Sequence, residues 1–82
     1  MPTVFRFEGL RVVIYPADHR PAHVHVIGAK GEAVLNLNCR SGPPELRQSY
    51  GFSLPEVNHS RNVLEDHLIA PCAEWRKIHG RY

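Results

Sequence analysis

Apolar and polar residues alternate through the first half of the chain. Through the last third the apolar ones recur every three to four positions, so strands should come first and helix last. Val4-Phe5-Arg6-Phe7 opens a strand and Glu8-Gly9 makes a tight turn. Leu10 to Tyr15 then places Leu10, Val12 and Ile14 on one face and Arg11, Val13 and Tyr15 on the other. Pro16 ends that strand because it has no amide to give a ladder. His23 to Ile27 is a third strand, Gly28-Ala29-Lys30-Gly31 a hairpin loop, and Glu32 to Asn38 a fourth strand with Ala33, Leu35 and Leu37 on one face. The pattern predicts four strands near 3–8, 10–15, 22–27 and 32–38 in an antiparallel meander.

Cys39 to Gly51 carries Ser41-Gly42-Pro43-Pro44 and predicts a loop, with one helical turn around Glu45 to Ser49. The helix that follows has a marked start. Ser53 and Glu56 form a capping box, each side chain meeting the other's backbone amide, with Phe52 and Val57 as the hydrophobic staple. Val57, Leu64, Leu68, Cys72, Trp75 and Ile78 then make one apolar stripe from Leu54 to about His79, with Trp75 and Leu68 expected against Leu35 and Val12. Arg76, Lys77 and His79 suit a helix C-terminus, and Gly80 suits its stop. Pro71 clashes with the His67 carbonyl in a continuous helix, so a kink or a split near Ala70 is expected. The whole reads as one α+β domain over residues 1–82.

Composition narrows the class. With 82 residues the chain supports one thin core, 43% hydrophobic content argues against disorder, and no apolar run is long enough to span a bilayer. Arg6 and Glu8 interrupt the opening where a signal peptide needs an apolar stretch, so a cytoplasmic location is expected. The net charge of +2 comes with scattered cations and permits an acidic partner without demanding one. Two cysteines are too few for a disulfide framework, so Cys39 and Cys72 are expected as free thiols, Cys72 as a small core residue.

The histidines change the picture most. Three of the six fall in Asp18-His19-Arg20-Pro21-Ala22-His23-Val24-His25-Val26. Strand alternation puts His23 and His25 on one face, while Val24 and Val26 serve the core. Two imidazoles side by side are ligands for a divalent metal such as zinc, with a third ligand from His19, Asp18, His59 or His67. The same residues can instead act without metal, one imidazole as base and a protonated partner as acid, with Arg20 or Arg61 stabilising negative charge. The third alternative is structural: both rings pack or sit on a solvated face. For His59 and His67 a half-buried place at the core edge is the plainer expectation.

Met1-Pro2-Thr3-Val4-Phe5-Arg6, Gly9, the Asp18-His19-x-Pro21-x-His23-Val24-His25-Val26 block, Gly31-Glu32-Ala33, Gly51-Phe52-Ser53 and Trp75 with His79-Gly80 together resemble a family of small bacterial and archaeal proteins. That family is a domain of unknown function, number forty-one sixty. The resemblance implies a β-meander-plus-helix fold and a gene often beside that of another small protein, hence a suspected toxin–antitoxin-like pair; action on nucleic acid within such a pair is the expectation carried with the active module below. The chain departs from the family pattern at Ala22, where many relatives have a second proline, in a longer 39–51 loop, and at Pro71. A comparison with histidine-triad nucleotide hydrolases fails at Ile27, which stands where a third histidine belongs.

Two functions are therefore carried forward. One is an active module whose His19, His23, His25 and Asp18 hold a divalent metal or a phosphate group, with His23, His25 and Arg20 as catalytic candidates. The other is a non-enzymatic interaction module with structural histidines. A neighbouring-gene protein, nucleic acid and a second copy are the partners considered; a membrane is not.

Overall fold

The computed structural model describes residues 3–39 and 41–82. Its strands are β1 (Thr3–Phe7), β2 (Leu10–Val13), β3 (His23–Ile27), β4 (Glu32–Asn36) and β5 (Glu45–Tyr50), followed by helices α1 (Leu54–Asp66) and α2 (Ile69–His79). The strands form one antiparallel sheet in chain order, the meander that the alternation predicts. Glu8 and Gly9 both have positive φ, at 49° and 80°. That pair of left-handed residues is the two-residue hairpin turn whose twist matches its strands.

Val12, Val24, Val26, Ala33 and Leu35 join Leu64, Leu68, Cys72 and Trp75 in one buried core. Trp75 is fully buried, as its place in the apolar stripe requires, and its indole Nε1 donates to the Arg81 carbonyl at 2.9 Å. Ala22 N donates to the Tyr82 carbonyl at 3.2 Å, so the C-terminal residues lie against the start of β3. The capping box at Ser53 and Glu56 is complete, and Lys30 reaches Glu56 at 2.8 Å, tying the β3–β4 loop to the start of α1.

Three expectations need correction. The first concerns Glu45 to Ser49, which is no helical turn but part of a fifth strand. Every residue of β5 is exposed, so the segment has no apolar face to announce itself. Backbone pairing with β4 alone makes it a strand, and sequence alternation reports burial, not pairing.

The single helix is two. α1 ends at His67, whose amide donates to the Val63 and Leu64 carbonyls, and α2 restarts after Leu68. Pro71 thereby sits in the first turn of α2, where amides have no intrahelical acceptor and its missing N–H costs nothing. The split was expected near Ala70 and falls slightly earlier because the chain moves the proline into a position that tolerates it.

The cysteines are not free. Cys39 and Cys72 form a disulfide across 33 residues, with Cα atoms 5.8 Å apart. Neither their number nor their spacing shows that the first turn of α2 docks beside the end of β4, and that docking is what brings the two within bridging distance. The expected free thiols therefore no longer argue for a cytoplasmic location. No helix among the described residues is long and apolar enough to cross a membrane.

Candidate metal centre

The helices occupy the face of β3 that carries Val24 and Val26, so alternation sends His23 and His25 to the other face. The loop between β2 and β3 folds back over that face. Asp18 N donates to the Tyr15 carbonyl at 3.0 Å, and Tyr15 N donates to Asp18 Oδ2 at 3.1 Å. These two bonds fix the Asp18 carboxylate above the strand. The Tyr15 ring meets His25 edge-on, with centroids 4.8 Å apart.

Asp18 Oδ2 lies 3.5 Å from His23 Nε2 and 3.3 Å from His25 Nε2. Asp18, His23 and His25 each present one ligand atom, all within 4.8 Å of one another. The far sides of the rings determine what these atoms are. His23 Nδ1 faces the Pro21 carbonyl at 2.8 Å, and a carbonyl only accepts, so Nδ1 carries the proton. His25 Nδ1 faces Glu32 Oε2 at 2.8 Å, and an ionised carboxylate likewise only accepts. In the neutral rings both Nε2 atoms are then bare lone pairs, and they converge on a carboxylate oxygen that is also an acceptor.

Three acceptors facing one another lack a positive partner. His25 Nε2 is buried with no hydrogen-bond partner, and so is the Oδ1 of Asn36, whose backbone pairs with His23. A divalent ion satisfies such a group directly. Ligands at about 2.0–2.1 Å in a tetrahedron around zinc stand about 3.3 Å apart, close to the separations from Asp18. Hydrogen bonds from Nδ1 to a carbonyl and to a carboxylate are also the supports that orient metal-binding imidazoles. Without metal, a proton on one Nε2 serves the same contact, as an imidazolium donating to Asp18.

Of the sequence candidates, Asp18, His23 and His25 come together. His19 and Arg20 are exposed and line the mouth of the cavity in front of them. His59 pairs with Glu8 at 2.6 Å and meets Phe7, and His67 is exposed beside Phe5. Neither belongs to this group, and Arg61, on α1, does not line its cavity. His79 stacks on Trp75 with ring centroids 4.0 Å apart, and the His23 ring lies 5.2 Å from the same indole.

Glu32 was missed as a participant, although a signal existed. A four-residue loop between Ile27 and Glu32 sets them opposite each other, so Glu32 shares the His25 face two pairs along. Arg47 and Gln48 also line the cavity. Their segment reads as loop in the sequence, so nothing there points them toward the histidines.

The family model of a domain of unknown function, DUF4160, matches residues 9–76. No curated protein and no solved structure matches the chain.

Proposed function

The chain belongs to the DUF4160 family of domains of unknown function, and from its own residues we propose that it binds one divalent transition metal, zinc foremost, on Asp18, His23 and His25. The observation that carries this reading is the convergence of two imidazole Nε2 atoms on Asp18 Oδ2 at 3.5 and 3.3 Å. Two imidazoles and one carboxylate leave a coordination position open, and the cavity lies on that side. A metal held in this way lowers the pKa of a bound water and polarises a bound oxygen, the basis of metal-assisted hydrolysis. Asp18, His23 and His25 supply the ligands, while Glu32 and the Pro21 carbonyl hold the imidazoles in the ligating tautomer.

Zinc titrated into chelator-stripped protein tests this. The expected result is one ion bound per chain, a raised melting temperature, and loss of both in a His23→Ala/His25→Ala double variant that still folds. Copper(II) gives a second readout by quenching Trp75, the single tryptophan, which lies 5.2 Å from His23. No binding of either ion overturns the reading.

A second reading, the interaction module, draws on β5. Its outer edge is unpaired among the described residues, and Leu46 and Tyr50 are 43% and 66% exposed. Such an edge accepts another strand. Light scattering of the purified chain, alone and with the product of its neighbouring gene, tests a second copy and a partner. A toxin–antitoxin-like pair rests on the family resemblance alone.

A further inference from the structure

The cavity in front of Asp18, His23 and His25 has a volume of about 400 Å³. Arg20 stands on its rim from the β2–β3 loop, and Arg47 and Gln48 line it from β5. Residues adjacent in a regular strand point to opposite faces, so Arg47 and Gln48 should not share one cavity. They do so because the strand is bulged there. Val34 pairs with Gln48 and Leu35 with Leu46, which leaves Arg47 as the extra residue without a partner. A bulge re-aims a side chain and is common beside active sites.

Among the described residues neither arginine has an ion-pair partner; the ion pairs there use histidines and Lys30. The cavity thus sets two free guanidiniums against one carboxylate. The metal reading, on which this inference rests, adds a divalent ion at the same place. That excess positive charge next to an open metal position calls for an anion of matching charge.

We propose that this cavity binds the terminal phosphate of a phosphomonoester, one oxygen on the metal and the others on Arg20 and Arg47. A carboxylate brings two oxygens and a single negative charge, less than three cationic groups call for. A phosphodiester has lost one of the charged oxygens to its second ester bond. Guanidinium forks suit the geometry of a tetrahedral phosphoryl group.

Cobalt(II)-loaded protein provides the test, because its visible absorption reports a new ligand on the metal. Phenyl phosphate is the probe, with benzoate and a dinucleotide phosphodiester as competitors of other classes. The expected result is a spectral change that saturates with phenyl phosphate, and affinity about tenfold lower or worse in Arg47→Ala. Cobalt affinity should stay unchanged in that variant, since Arg47 is no ligand, and Arg47→Lys should recover part of the loss. Arg47 is exposed on an edge strand, so its replacement leaves the fold intact. Cobalt binding with no response to phenyl phosphate, or an unaltered response in Arg47→Ala, overturns the phosphate assignment and leaves the metal reading standing. Benzoate or the diester binding as tightly as phenyl phosphate overturns it too. No cobalt binding at all overturns both.

Discussion

Glu32 accepts the Nδ1–H of His25 at 2.8 Å, from the neighbouring strand and two residue pairs along. This bond settles which nitrogen of His25 faces Asp18. Removing the carboxylate frees the ring to turn and to carry its proton on Nε2, the wrong nitrogen for a ligand.

Glu32→Ala should therefore weaken zinc binding by about 10–100-fold, the usual effect of losing a group that orients a ligand. Glu32→Gln should lose less, because its amide oxygen still accepts from Nδ1. Isothermal titration of the three proteins checks the order. Equal affinities would show that the Glu32 contact does not set the tautomer.

Asp18→Asn should cost zinc affinity but little stability without metal. Tyr15 N and both imidazoles meet the same oxygen, Oδ2, so an amide nitrogen placed there gives an N–H to the imidazole lone pairs and gives up the bond from Tyr15 N. The stripped variant should melt within a few degrees of the parent, since one hydrogen bond of about 1 kcal/mol replaces another. Its zinc affinity should fall by about 100-fold or more, since a ligand and a charge are lost together. Thermal scans with and without zinc show both effects, and a variant that zinc stabilises as well as the parent would remove Asp18 from the ligand set.

Breaking the Cys39–Cys72 bridge should lower stability substantially. The bridge closes 33 residues, for which chain entropy gives about 3–4 kcal/mol. In a domain of this size that is a fall in melting temperature of more than about 10 °C. Melting the protein with and without a strong reductant, and comparing Cys39→Ser/Cys72→Ser, measures it. Coincident curves would mean that α2 docks without the bridge.

Glu56 gives the fold a pH dependence of known sign. Its ion pair with Lys30, with help from the Ser53 amide and hydroxyl, lowers its pKa from 4.5 to about 2. The unfolded chain thus binds the proton at higher pH than the folded chain does. The stabilisation is complete above about pH 4.5 and is lost as pH falls toward 2. Both side chains are solvent-exposed, so salt screens the pair and the effect is modest. Glu56→Gln should flatten this part of the stability profile at low ionic strength, and chemical denaturation between pH 5 and 2 reads it out. An unchanged slope would locate the acid sensitivity in other carboxylates.

The hydrophobic pattern alone determined the first four strands, the start of α1 and the burial of Trp75. Each depends on short-range alternation or on a cap within four residues, and periodicity records that directly. Strand alternation also placed His23 and His25 on one face, and Asp18 was already among the candidate ligands.

Only the tertiary structure decided the rest, because the remaining contacts join residues that are distant in the chain or carry no pattern. β5 is exposed on both faces and exists through its pairing with β4, so its composition resembles a loop. Cys39 and Cys72 meet because α2 packs where β4 ends. Arg47 reaches the cavity through a bulge, a change of register with no signature in residue type. Asp18, rather than His19, faces the imidazoles because its own carboxylate accepts from Tyr15 N and closes the loop over β3. The sequence supplies the chemical groups, but their convergence is set by long-range strand pairing and loop closure, which no local preference encodes.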